Sequence, residues 1–174
     1  MGSYNYGKVE ICGWIRQHFD KESTILDVGA CDGKWRSLLV DYPNMDAVEI
    51  FQPNAEKIRY LYDNVFVCDI CDLYYEHYDL VIFGDMIEHL TPDDAKKVLD
   101  YANEHCTDLI ISVPFQYKQD ALYGNKYEIH IQDDLTPELF NKRFPGYELL
   151  LKAAEDYAYY HKPTIKERKR KAQT

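Results

Sequence analysis

The stretch that most constrains this chain is Thr24-Ile25-Leu26-Asp27-Val28-Gly29-Ala30-Cys31-Asp32-Gly33-Lys34-Trp35. Ile25 to Val28 is a short run rich in apolar and β-branched residues, it breaks on Gly29 and Gly33, and Trp35, Leu38, Leu39 and Tyr42 follow at helical spacing. That order predicts a strand, a tight turn and a helix, the unit that cradles phosphates and nucleosides. The glycines narrow the ligand. A dinucleotide site needs G-x-G-x-x-G so that the pyrophosphate can approach the helix N-terminus, and here the middle glycine is missing. A P-loop needs Gly-Lys-Ser/Thr after four intervening residues, and Gly33-Lys34-Trp35 ends differently. Asp27 would repel a pyrophosphate. It suits a cationic ligand without phosphates, holding an ammonium directly or through water.

Strand and helix patterns alternate on both sides of this turn. Residues 6 to 19 place Val9, Ile11, Cys12, Ile15 and Phe19 close together on one helix, an amphipathic element that lids or flanks the core. Strands are expected over Met45 to Ile50, Asn64 to Cys68, Tyr78 to Phe83 and Leu109 to Val113. Pro53 suits a first helical turn continued by Ala55 to Tyr62. Thr91-Pro92-Asp93-Asp94 supplies an N-cap, a first-turn proline and an acidic third residue for a helix through about His105, and Thr136-Pro137-Glu138 opens a shorter one to Phe144. Tyr147 to Leu151 and Tyr157 to Tyr160 read as a closing strand pair. Such alternation means right-handed βαβ units, an α/β fold with a largely parallel sheet covered on both faces. Ligands then bind at the carboxyl ends of the strands, beside the point where the strand order reverses.

The polar residues at those ends describe one ligand. Glu49 lies twenty residues after Gly29, the spacing at which a second-strand acid accepts hydrogen bonds from a ribose diol. Asp69, closing the third strand, is placed to accept from an adenine amino group, with Ile50, Phe51 and Ile70 to sandwich the ring. Together they suit a nucleoside.

Asp27, Gly29 and Gly33 form D-x-G-x-x-x-G, which resembles the first motif of class I S-adenosylmethionine-dependent methyltransferases; Glu49 and Asp69 resemble the second and third, and the order of elements is similar from about residue 6 to residue 161. The resemblance implies a Rossmann-like, doubly wound fold of seven strands, mostly parallel with an antiparallel closing strand, and S-adenosylmethionine as cofactor. The cofactor contacts it implies are Asp27, Gly29, Ala30, Cys31 and Gly33 in the turn, Glu49, Ile50 and Phe51 after the second strand, Asp69 and Ile70 after the third, and Gly84 and Asp85 after the fourth. Methyltransferases acting on exocyclic amines of nucleic-acid bases carry Asp/Asn-Pro-Pro-aromatic after the fourth strand. This chain instead has Gly84-Asp85-Met86-Ile87-Glu88-His89-Leu90, which disfavours DNA base methylation. The I-E-H-L segment resembles small-molecule O-methyltransferases such as those of ubiquinone biosynthesis. It also resembles small-RNA 2′-O-methyltransferases that bind a metal through E-x-x-E-H and a distant His, with Asp85 in place of the first glutamate and His130 where the distant ligand lies. The expectation is a small-molecule oxygen or nitrogen acceptor, His130 and His89 as candidate bases, and no metal. Pro114 to Leu135 has no regular pattern but holds Phe115, Tyr117, Tyr123, Tyr127 and His130; loops of this length in a compact domain are usually functional, and this one is expected to bind the acceptor.

Composition bounds the rest. The 174 residues, 46% hydrophobic with 16 tyrosines, suit one folded domain, placed at residues 1 to 162. The net charge is −10, and residues 163 to 174 carry five bases against one acid, so the body is more acidic than the whole. Such a body is a poor surface for polyphosphate, which argues against a nucleic-acid partner; the basic end reads as a solvated tail. No apolar run approaches the roughly 20 residues of a membrane helix, and no export signal opens the chain, so a cytoplasmic location without membrane association is expected. Five cysteines without an export signal suit reduced thiols, and Cys68-Asp69-Ile70-Cys71 lacks the second pair that a zinc site needs. Two further classes stay open: a cofactor-binding partner protein of the same fold, and a nicotinamide dehydrogenase.

Overall fold

The two longest parallel strands, Tyr78–Gly84 around Leu80-Val81-Ile82-Phe83 and Cys106–Pro114 around Leu109-Ile110-Ile111, lie side by side at the centre of a seven-stranded sheet. In the computed structural model, which describes residues 5–162, the elements are α1 (Lys8–His18), β1 (Ile25–Val28), α2 (Lys34–Leu38), β2 (Met45–Val48), α3 (Gln52–Ile58), β3 (Val65–Phe66), β4 (Tyr78–Gly84), α4 (Pro92–Glu104), β5 (Cys106–Pro114), α5 (Pro137–Arg143), β6 (Glu148–Ala154) and β7 (Tyr157–His161). The sheet order is β3-β2-β1-β4-β5-β7-β6. β1 to β5 run parallel, and β7 enters antiparallel between β5 and β6. This is the Rossmann-like, mostly parallel seven-stranded sheet expected above, with its order reversing between β1 and β4. The basic tail read over 163 to 174 lies outside the described residues.

Burial on both faces explains the unbroken apolar strands. Leu80, Ile82 and Ile110 pack with Ile11, Ile15, Leu39 and Ile58 under α1 to α3, while Val81, Phe83 and Ile111 pack with Val98, Leu99 and Phe140 under α4 and α5. Both Thr-Pro starts form as read. Thr91 Oγ1 accepts from Asp94 N at 3.2 Å, and Thr136 Oγ1 from Leu139 N at 3.1 Å.

Several elements are shorter than their patterns, β2 among them, which ends at Val48. The helix expected through Tyr42 stops at Leu38, because the Arg36 guanidinium donates to the carbonyls of Leu39, Tyr42 and Leu61 and holds the next turn as a packed loop. α3 ends at Ile58 rather than Tyr62. β3 keeps only Val65 and Phe66: on one side Asn64 is bound to the Asp46 carboxylate, and on the other Asp69 Oδ1 accepts from Cys71 N and starts a 3₁₀ turn.

Candidate active site

A cavity of about 530 Å³ opens at the carboxyl ends of β1, β2 and β4, where the strand order reverses. Of the residues singled out in the sequence, Gly29, Ala30, Cys31, Glu49, Ile50, Asp69, Ile70, Gly84, Asp85, His89 and His130 line it. Asp27, Gly33 and Phe51 do not. Asp27 stands within β1, 1% exposed and sealed beneath the cavity, with Oδ2 accepting from Tyr62 Oη at 2.6 Å; burial pushes its carboxyl up to about 6. Gly33 starts α2 with φ +74°, and a Cβ there would meet Leu61 Cδ1 at 2.8 Å, so this glycine serves helix packing. Phe51 contributes its N–H to Glu49 rather than its ring to the wall.

At the β2 end, Glu49 is 5% exposed and organises two loops at once. Its Oε2 accepts from Cys31 N and its Oε1 from Phe51 N, both at 2.8 Å. Burial raises its pKa and these two N–H donors oppose the rise. Each oxygen has capacity for a further donor from the cavity. Cys31 itself sits at φ +49° in the turn after Gly29, which aims its N–H at Glu49.

At the β4 end, Asp85 is held at φ +53° by Ser112: its N–H donates to Ser112 Oγ at 3.0 Å, and its Oδ1 accepts from Ser112 Oγ and from Tyr157 Oη. The 3₁₀ turn Ile87–His89 follows, and the 114–135 loop folds back onto it. Ile131 N and Gln132 N both donate to Glu88 O, at 2.9 and 3.0 Å, and Gln132 Nε2 donates to Ile87 O at 2.8 Å. His89 and His130 are thereby brought edge to face, ring centroids 4.7 Å apart.

Each imidazole has its tautomer fixed by a backbone carbonyl, which can only accept. Nδ1 of His130 donates to Tyr117 O at 2.7 Å, and Nδ1 of His89 to Ile129 O at 3.0 Å, so each neutral ring keeps its lone pair on Nε2. Burial lowers both pKa values, favouring those neutral rings. Beside them lies Glu88, 1% exposed, with no hydrogen-bond partner for either carboxylate oxygen among the described residues and Oε1 4.0 Å from His130 Nε2. Burial, reinforced by the Asp85 charge, holds its pKa well above the usual carboxylate range. One ligand atom from each of Glu88, His89 and His130 falls within 4.8 Å of the others. Asp85, turned to Ser112 and Tyr157, is outside this group.

Sequence reading missed Trp35 and Met86 in the wall. Trp35 has the helical spacing of an ordinary core residue, and no local signal marks Met86. Tyr117, Tyr127, Ile129 and Ile131 of the long loop complete a partly exposed apolar rim, whereas Tyr123 points away into solvent, 90% exposed.

Neither a family model nor a curated protein sequence matches the chain. Solved structures do match it. An S-adenosylmethionine-dependent methyltransferase from Clostridium acetobutylicum ATCC 824 superposes with a TM-score of 0.66 at 14% identity, over 91% of this chain and 91% of that one. A Burkholderia thailandensis 1,6-didemethyltoxoflavin-N1-methyltransferase, solved with 1,6-didemethyltoxoflavin and S-adenosylhomocysteine, gives 0.62 at 15% identity over 92% and 79%. The methyltransferase domain of bacterial-CtHen1-CN gives 0.63 at 15% identity over 90% and 96%. At such identities the likeness establishes the fold, which is that of class I methyltransferases.

Proposed function

We propose that this protein is a methyltransferase that uses S-adenosylmethionine and delivers the methyl group to an oxygen or nitrogen of a small molecule. The observation that carries the reading is the single cavity joining Glu49 and Asp69 at one end to His89 and His130 at the other. When bound, S-adenosylmethionine supplies a methyl on a sulfonium, whose C–S bond breaks as the acceptor's lone pair forms the new C–O or C–N bond, leaving the electron pair on sulfur. The residues fit such a nucleoside. Glu49 can accept from a ribose diol while still holding Cys31 and Phe51, Asp69 can accept from an amino group on the base, and Ile50 and Ile70 supply flat apolar contacts. Asp85, whose Oδ2 has no hydrogen-bond partner among the described residues, can accept from an ammonium.

The chain's part in the transfer is alignment, exclusion of water and removal of one proton. Holding nucleophile and electrophile in line contributes much of the acceleration. The proton leaves the acceptor for an imidazole Nε2, available on His130 or His89 because both Nδ1 atoms are committed to backbone carbonyls. The apolar rim of Tyr117, Tyr127, Ile129 and Ile131 favours an acceptor with a flat or hydrophobic body.

A second reading is favoured by Glu88, whose two buried, unpartnered oxygens call for a proton or a cation. One carboxylate and two neutral imidazoles suit a divalent transition metal, with both Nδ1–H groups anchored as metal-bound histidines usually are. An ion there would act as a Lewis acid on the acceptor oxygen.

Both are tested by incubating the purified protein with methyl-labelled S-adenosylmethionine and separated small-molecule and RNA fractions of a cell extract, with and without chelator. Chelator-resistant label in the small-molecule fraction is the expected result. Chelator-sensitive label restored by a divalent ion would replace the metal-free mechanism with the second reading, and in the RNA fraction it would replace the acceptor class as well. No label despite firm cofactor binding would leave the protein a cofactor-dependent partner.

A further inference from the structure

Seven carboxylates but only two lysines line the cavity, and a bound cofactor with a single net positive charge would not balance that excess. One acid that the cofactor reading leaves without a task is Glu128, half-buried on the long loop. Its place is built by its neighbours. Buried Asn125 caps the 3₁₀ turn Lys126–Glu128 by accepting from Tyr127 N at 3.0 Å, and its Nδ2 donates to Glu128 Oε1 at 3.3 Å. Gln119 Nε2 donates to Glu128 O at 2.7 Å and to Glu128 Oε2 at 3.4 Å, while Gln119 O accepts from His130 N at 3.0 Å. One residue thus ties this carboxylate to the candidate base. The donors on Glu128 are neutral amides, and among the described residues no lysine or arginine forms an ion pair with it. Burial dominates the pKa values of Glu49, Glu88 and His130, but the Glu128 charge acts on all three, so it stands between the cradle and the bases. Glu88 is an independent sign of a missing cation: it is 1% exposed, in the cavity wall, with both carboxylate oxygens unpartnered among the described residues.

Resting on the methyltransferase reading above, we propose that the acceptor is a cationic amine, whose ammonium Glu128 holds beside His130 and whose nitrogen receives the methyl group. Two cations, the sulfonium and this ammonium, must then share one cavity, and the acids of its wall offset their repulsion. An anionic acceptor would be repelled by the acid excess, and a neutral alcohol would leave Glu128 and Glu88 without a cation. The ammonium first gives one proton to His130 Nε2. The freed lone pair forms the C–N bond as the C–S bond breaks, the electron pair of that bond stays on sulfur, and the methylated nitrogen leaves as an ammonium. His130 then returns its proton to water. Glu88 Oε1, 4.0 Å from His130 Nε2, stabilises the imidazolium in the interval. The Tyr117 ring stands edge to face with His130, centroids 5.4 Å apart, so an aromatic wall flanks the same place and suits an ammonium or the body that carries it.

The test divides the small molecules of a cell extract on a cation exchanger at neutral pH into retained amines and flow-through, and supplies each to the purified protein with methyl-labelled S-adenosylmethionine. The retained fraction should take up most of the label, and prior treatment with acetic anhydride, which converts primary and secondary amines to amides, should abolish it. Glu128→Gln keeps the length of the side chain and removes its charge. It should raise the amount of retained fraction needed for half-maximal rate by about 10-fold, the lower end for a charge-assisted hydrogen bond, and by more than it lowers the rate at saturation. His130→Gln should do the reverse, and Glu128→Asp should keep part of the wild-type half-saturation. Label drawn mainly from the flow-through, or surviving acetylation, would overturn the amine acceptor and leave the methyltransferase reading standing. Wild-type half-saturation in Glu128→Gln would overturn the role of Glu128, and so would a matching loss of S-adenosylhomocysteine affinity in that variant, which would show that the side chain only shapes the loop. No label from either fraction would overturn the methyltransferase reading and this one with it.

Discussion

Acids are buried at both ends of the cavity, but they are treated differently. Glu49, at the β2 end, has a backbone N–H on each oxygen and thereby ties the turn after β1 to the start of α3. Glu88, at the β4 end, is buried more deeply and has a donor on neither. The first arrangement is complete before any ligand arrives, as a rigid cradle for a constant cofactor should be. The second is incomplete, poised between two neutral imidazoles until a proton, a cation or an acceptor group settles it. Cradle and chemistry are thus separable: loss of His130 should harm turnover alone, and loss of Glu49 should harm binding alone.

The largest effect should come from the β4 end. His130→Ala is expected to reduce turnover by roughly 10² to 10⁴ while the Kd for S-adenosylhomocysteine stays as in wild type. A parallel loss of cofactor affinity, measured by calorimetry on the folded variant, would break the separation.

The next concerns the floor beneath the cradle. Asp27 has a folded pKa of about 6 against an ordinary 3.8, so between those values the native state keeps a proton that the unfolded chain has released. Stability contributed by the protonated carboxyl is present at low pH and is lost as pH rises through that window, by about 3 kcal/mol once pH exceeds the folded value. Asp27→Asn escapes this loss. Thermal unfolding from pH 4 to pH 7 should show the variant gaining on wild type up to about pH 6 and holding a constant lead above it; a lead that does not change with pH would mean that Asp27 is not titrating there.

The smallest effect sharpens the cradle itself. Glu49→Ala should weaken S-adenosylhomocysteine binding by about 1.5 to 3 kcal/mol, the range for hydrogen bonds to a charged group, with the fold retained. Unchanged affinity would remove the ribose role and leave Glu49 as a loop clamp.

How much of this was legible in the sequence follows the same division. The β1 turn, the Thr-Pro helix starts and the acids after β2 and β3 are local signals, decided by a few neighbouring residues, and each lies where its pattern puts it. Asp27 misleads because its motif position implies ligand contact, whereas strand geometry carries its side chain under the floor to Tyr62. The arrangement around Glu88 depends on Ile131 and Gln132 returning to its carbonyl from more than forty residues away, a pairing that no periodicity announces. Trp35 was hidden for the opposite reason: it sits at an ordinary helical position, and only the packed structure shows that its buried indole N–H lacks a partner among the described residues.

The central claim is that the cavity is a cradle for a sulfur nucleoside, and titration calorimetry of the wild-type protein with S-adenosylmethionine, S-adenosylhomocysteine, NAD and NADP tests it most directly. Saturable one-to-one binding of both sulfur nucleosides, with no heat from either dinucleotide, is the result this account predicts. Preference for a dinucleotide, with the sulfur nucleosides silent, would contradict it.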